Sequence, residues 1–298
     1  MDWSPLKFSD TEPERHIVVL RHREFIENDK SQAWLFTKFL YKEMIICPRI
    51  DLEEKGFGVF NDSVIRCLLE SVKDYYSSVG VDSEKQILIL HRDGQPMCCK
   101  SPEDSTHIIL LSASENYWCQ WVYQFAHEYC HHLIDGELTG ETSGLKWFEE
   151  SLCHVASFVC LLNFARICEI DPSLRFYVPC VYLYVRDLLS EEESKKPDLS
   201  CFLDSLMRPI SKDRMQPLHH FIETRMGVLT TTYSTEDYKI IARALFPHFY
   251  NNEKLWRIIP YLGETAKWIS LQGLLVHLLE KADNEYKESL EGVIKCLA

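Results

Sequence analysis

The sequence predicts a predominantly helical α+β fold, with a small mixed or antiparallel sheet, two helices packed beside it and an all-helical C-terminal part. Three observations carry that expectation. Runs of β-favouring residues are confined to positions 85–113. From Glu115 onward, apolar residues recur at helical spacing almost without interruption. The chain has 298 residues, 46% hydrophobic and 26% charged, which suits a globular protein with a sizeable core.

Taken in order, SQAWLFTKFLYKEMII (31–46) reads as a helix opened by Ser31. Residues 62–78 read as a second, with Val64, Ile65, Leu68, Leu69 and Val72 at helical spacing. KQILILHR (85–92) is a strand followed by the turn-forming DGQP, with MCCK as its expected partner. THIILLSA (106–113) is the strongest strand. Helices are expected at 115–134, 146–168, 174–191, 235–247, 252–262, 268–281 and 284–297. Ser234 and Asp237 form a capping pattern ahead of one of them. SEEESKKPDLS (190–200) is the most polar stretch, so the chain is expected to divide into 1–189 and 190–298.

Composition narrows the function classes. Lys and Arg total 32 against 45 Asp and Glu, a net charge of −13. An acidic chain without basic runs repels phosphate, so no nucleic-acid partner is expected. No run of 18 apolar residues is present, and the first residues lack the pattern of a secretory signal, so a cytoplasmic protein without a membrane partner is expected. Of the 12 cysteines, Cys119, Cys130, Cys153, Cys160 and Cys168 fall within apolar helical patterns and read as small buried hydrophobes. Oligomeric state leaves no signal.

Residues 127–131 spell His-Glu-Tyr-Cys-His, the HExxH pattern. On a helix, His127 and His131 lie one above the other and can offer two imidazoles to one metal ion, while Glu128 reaches a metal-bound water. Trp118, Val122, Phe125, Ala126, Tyr129 and Leu133 form an apolar stripe. Gln120, Gln124, His127 and His131 form a polar one, expected to face a cleft or solvent. A third ligand must come from elsewhere. DGELTGETSG (135–144) has three glycines and loop composition, and WFEESLCHVASFVC (147–160) reads as the next helix. Glu150 on that helix is the expected third ligand, with Glu149 as the alternative. Asp135 and Glu149 are candidates to orient the ligand imidazoles. His132, about 100° around the helix from His131, is expected in the core or behind the ligands.

This constellation resembles the gluzincin zinc metallopeptidases, a group that includes thermolysin and the zinc aminopeptidases. Eighteen residues separate His131 from Glu150, and Trp147 precedes Glu150 as in the aminopeptidases. The likeness covers roughly residues 85–168. It implies an upper mixed sheet, an active-site helix, a glutamate helix and a lower helical subdomain. It also implies that THIILLSA is an edge strand that pairs with an extended substrate. The chain departs from the pattern where thermolysin-like enzymes place an Asp four residues after the ligand Glu; His154 stands there. Ile134 and Glu137 exclude the extended metzincin motif.

The resemblance implies a hydrolase of peptide bonds with one Zn2+ per chain, bound by His127, His131 and Glu150, and Glu128 as general base acting on peptide or protein substrates. The negative charge favours basic or neutral peptides. A donor to the tetrahedral oxyanion is required as well, with His219, His220, Tyr233 and Tyr238 as candidates. The competing readings are a catalytically inactive zinc-binding protein with a helical protein-interaction surface, and a metal-free helical scaffold.

Overall fold

Residues with the strongest β preference form the two central strands of a four-stranded mixed sheet. The computed structural model describes residues 50–100, 105–135, 145–189, 199–229, 235–263 and 270–297. The helix expected at 31–46, Ser234, most of the glycine-bearing loop and most of the polar stretch at 190–200 lie outside these residues. Strand β1 (Ile50–Leu52) runs parallel to β2 (Gln86–His91), and β2 runs parallel to β4 (Thr106–Leu111). Strand β3 (Met97–Cys99) closes the far edge antiparallel to β4, giving the order β1-β2-β4-β3.

This pairing corrects two sequence expectations. MCCK is not the hairpin partner of KQILILHR, because the chain carries β3 past β4 to the opposite edge. Among the described residues the edge strands are therefore β1 and β3, and β4 is internal. The reason is burial: Ile87 and Ile89 of β2 align with His107 and Ile109 of β4, so parallel pairing puts one apolar face of each strand into the core. A register slip of one residue would turn His107, Ile109 and Leu111 outward. Met97 and Cys99 are exposed, which suits an edge. Strand β1 is only three residues long and left no alternation to read.

Helix α1 (Asp62–Ser78) joins β1 to β2. Asn61 caps it through a bond from the Val64 N–H, and Ile65, Leu68, Leu69, Val72, Tyr75 and Tyr76 form its buried face. Helices α2 (Trp118–Ile134) and α3 (Lys146–Ile170) pack against one another at the centre. Ser157 of α3 donates a hydrogen bond to the Tyr123 carbonyl of α2, at 2.9 Å. Helix α3 is the one described helix long and apolar enough to cross a bilayer, and 83% of its most apolar window is buried inside the fold.

The rest is helical: α4 (Val178–Leu189) after a 3-10 turn, α5 (Leu199–Leu206), α6 (Lys212–Leu229), α7 (Thr235–Asn251), α8 (Ile259–Gly263) after a second 3-10 turn, α9 (Leu271–Lys281) and α10 (Lys287–Leu297). Helices α5 and α6 were not anticipated, and α7 runs past Pro247. Buried Phe246 and Phe249 on either side of that proline hold the last turn in place despite one missing backbone donor. Tyr238, Ile241, Leu245 and Phe249 bring α7 into the core against α3. Trp256 donates to the Tyr75 hydroxyl of α1 at 3.0 Å. The core is one connected cluster that draws residues from both sides of position 190. Gly263 sits where α8 meets the end of α2: a Cβ there would lie 2.1 Å from the Ile134 carbonyl oxygen, so only glycine fits.

Candidate metal centre

Helix α2 is buried over all seventeen residues, which corrects the expectation that its polar stripe faces a cleft or solvent. Gln124 shows how the stripe is absorbed. Its Oε1 accepts from the Ser112 and Ala113 N–H groups at 3.0 and 2.8 Å, and its Nε2 donates to the Ser112 hydroxyl. The glutamine thus satisfies the end of β4 from within the core. One and two turns further along, His127 and His131 present their rings 5.1 Å apart, centre to centre.

The first turn of α3 reaches these rings with two carboxylates. Glu150 Oε2 lies 3.3 Å from His127 Nε2 and 3.7 Å from His131 Nε2. Glu149 Oε1 lies 2.6 Å from His131 Nδ1, the other face of the same ring. Adjacent residues on α3 therefore take separate tasks, with Glu150 between the two imidazoles and Glu149 behind one of them. Lys100 is 3.7 Å from Glu149. Trp147 and Phe148, both fully buried, anchor the turn that aims the pair.

Charges in this pocket are tightly interdependent. Burial pushes the Glu150 carboxyl up, but His131 and His127 together hold it well below the usual carboxylate range. Burial opposes charge on His131 as well, yet Glu150 and Glu149 raise its pKa well above the ordinary histidine value. Glu128 is buried beside them. Desolvation raises its carboxyl, which outweighs the lowering effect of His127 and His131 and of a hydrogen bond from the Cys98 backbone on edge strand β3.

Sequence reasoning missed Cys153. Its Sγ and one nitrogen each of His127 and His131 all lie within 4.8 Å of one another, in a cluster that is buried throughout. The signal was present: Cys153 follows Glu150 by three, one turn along the same helix face. Burial pushes its thiol up, and Cys130 is its hydrogen-bond neighbour. The five cysteines expected in the core are indeed buried, and all are free.

Other candidates lie elsewhere. His154 turns its ring towards His127, 4.7 Å between centres, and its Nδ1 is 3.0 Å from the Tyr123 hydroxyl. Burial holds His154 well below the ordinary histidine pKa, and His127 Nδ1 has no hydrogen-bond partner among the described residues. His132 points away, stacked on Tyr129, with its Nδ1 2.9 Å from His107 Nδ1. Asp135 does not orient a ligand imidazole; it pairs with Lys85 at 3.1 Å and His107 at 3.2 Å. His219 and His220 sit inside α6 rather than beside a loop, and the His219 ring donates to the Lys295 carbonyl at 2.8 Å. Tyr238 is buried in α7, and Tyr233 lies outside the described residues. Compared with protein-family models, curated proteins and solved structures, the chain matches none.

Proposed function

We propose that the chain is a metal-dependent hydrolase of peptide bonds, gluzincin-like in its site, with Zn2+ as the cation and His127, His131 and Glu150 as its ligands. One observation carries the reading: the separations of Glu150 Oε2 from the two imidazole nitrogens, 3.3 and 3.7 Å. Two donors on a tetrahedral zinc with bonds of about 2.0–2.1 Å lie roughly 3.3–3.4 Å apart. Ordinary hydrogen bonds are shorter, about 2.7–3.2 Å. The 3.3 Å contact fits two donors on a shared cation as well as it fits a long hydrogen bond, and the 3.7 Å contact leaves room for an ion between the groups.

Two further features support it. Glu149 on His131 Nδ1 is the carboxylate–imidazole contact that fixes a ligand histidine's tautomer and raises its basicity. Three carboxylates, Glu128, Glu149 and Glu150, are buried around two imidazoles. Such a cluster is costly unless positive charge offsets it, and Lys100, 3.7 Å from Glu149, supplies one such charge against three carboxylates. Bound there, the ion supplies Lewis acidity and a water that ionises near neutral pH. Glu128, with its carboxyl raised by desolvation, suits a base that takes a proton from the attacking water and returns it to the leaving amine. An extended peptide is the substrate class, aligned along β3, whose outer edge has no strand partner among the described residues.

The test is a metal assay followed by turnover. The purified chain is expected to hold one zinc and to cleave members of a peptide library. Glu128→Gln is expected to keep the zinc and lose cleavage. Cleavage retained in that variant removes the mechanism, and absence of metal removes the centre. The second reading, a catalytically silent metal protein with a helical interaction surface, draws on the burial of the whole of α2. It predicts stoichiometric zinc without turnover on any peptide.

A further inference from the structure

We propose that Cys153 is a fourth, masking ligand: its thiolate takes the position on the ion that the attacking water requires, so the loaded protein rests in a closed His127–His131–Glu150–Cys153 shell. The proposal rests on the metal-centre reading above and goes beyond it. Its ground is placement. Cys153 is fully buried one helical turn beyond Glu150, with Sγ inside the same 4.8 Å cluster as the two imidazoles. Donors on one tetrahedral zinc lie roughly 3.3–3.6 Å apart when one is sulfur, so a side-chain shift on the order of 1 Å brings Sγ into the shell.

The exchange is simple. The thiol loses its proton to solvent, the Zn–S bond forms, and one water leaves the ion; no electrons move. A shell of two nitrogens, one oxygen and one sulfur is the closed type found in structural sites, whereas a catalytic site keeps one position open. Sulfur also biases the centre towards borderline and soft ions such as Zn2+ and away from Mg2+ or Ca2+. Glu128 is then left facing no water until Cys153 swings away. The closed and open forms exchange, so the turnover expected of the unaltered chain comes from the fraction in which Cys153 has swung away.

Cobalt(II) is the probe. The full-length chain, stripped with chelator and reloaded with Co2+, is expected to show the d–d bands of tetrahedral cobalt and a thiolate-to-cobalt charge-transfer band. Cys153→Ser and Cys153→Ala should each lose the charge-transfer band while keeping the d–d bands, and bind Co2+ about tenfold more weakly or worse. Two variants, each checked by circular dichroism, separate loss of the ligand from loss of the fold. Cys130→Ser should keep the charge-transfer band. Tetrahedral d–d bands without charge transfer in the unaltered chain would overturn the masking ligand and leave the three-ligand centre standing. A charge-transfer band that survives Cys153→Ser assigns the sulfur elsewhere and also overturns it. If no cobalt binds at all, the metal-centre reading fails and the masking ligand fails with it.

Discussion

His131 and His132 leave α2 side by side in sequence and enter two different electrostatic worlds. His131 turns to Glu149 and Glu150, which hold it well above the ordinary histidine pKa despite burial. His132 turns to the opposite side, where burial, His107, Lys100 and Lys85 push it down to about 3. Asp135 sits on that second side too, but its carboxylate is shared by His107 and Lys85 and does not reach His132. Two identical side chains, both deeply buried, thus carry opposite charge preferences. Partner chemistry, more than burial, decides whether a buried imidazole attracts a cation, since desolvation acts on both in the same direction. Under the proposed function the first cluster, with three carboxylates to the single Lys100, takes a cation at its centre, whereas the second sets Lys85 against the single Asp135.

The sharpest way to break this comparison is at Glu128. Glu128→Gln is expected to lower peptide turnover by about 10²–10⁴-fold with zinc content unchanged, measured as initial rates beside metal analysis. Next comes the partner of His131. Glu149→Gln should weaken zinc binding by about 10–100-fold in competition with a chromophoric chelator. The matched change His132→Gln should leave the affinity unaltered; equal losses in both variants would erase the distinction between the two clusters.

Stability against pH tests the opposite signs directly. His132 has a folded pKa below its unfolded value of about 6.5, so the unfolded chain binds a proton that the folded chain refuses. Its contribution is fully present above about pH 6.5 and is lost as pH falls towards 3, on the order of a few kcal/mol. In the metal-free chain His131 behaves the other way: its folded pKa is raised, so its contribution is present below about pH 6.5 and fades as pH rises through the folded value. Urea midpoints from pH 7 to 4 should fall less steeply for His132→Gln than for the unaltered chain. Zinc should raise Tm more at pH 8 than at pH 6, because ligand imidazoles must shed their protons.

Two smaller effects bound the comparison. Gly263→Ala drives a Cβ against the Ile134 carbonyl at the end of α2 and should cost about 1–3 kcal/mol by thermal melting, with zinc stoichiometry retained. His219→Ala removes one exposed contact to Lys295 and should change stability by less than about 1 kcal/mol, with no change in turnover. A large loss of activity there would return His219 to the site.

How much of this was legible beforehand varied with the range of the interaction. Helix α1 was readable to its ends, because the spacing of Val64, Ile65, Leu68, Leu69 and Val72 is local. Strands β2 and β4 were readable as strands, but their parallel alignment was not, since a run such as QILILH fits either partner until a sheet is assembled around it. Helices α5 and α6 escaped because their segments are short or polar and gain their order from neighbours such as Phe202 and Ile222 in the core. The closeness of His127, His131 and Glu150 followed from spacing. Cys153 also had the right spacing, but a thiol in an apolar pattern reads equally well as packing. Glu149 and Asp135 were interchangeable on paper and proved to serve different histidines.

What the amino-acid order determined by itself is everything that depends on residues within a turn or two of one another: the stacked imidazoles, the carboxylate beside them, the capped helices and the alternating strands. The periods of helix and strand are set by backbone geometry and need no tertiary information. Tertiary structure alone decided which buried polar group faces which. It turned the polar stripe of α2 inward, separated Glu149 from Glu150 by task and His131 from His132 by charge, and brought Cys153 to the two imidazoles. Those outcomes depend on how α3 crosses α2, because electrostatic interactions in a buried pocket change steeply over one or two ångströms.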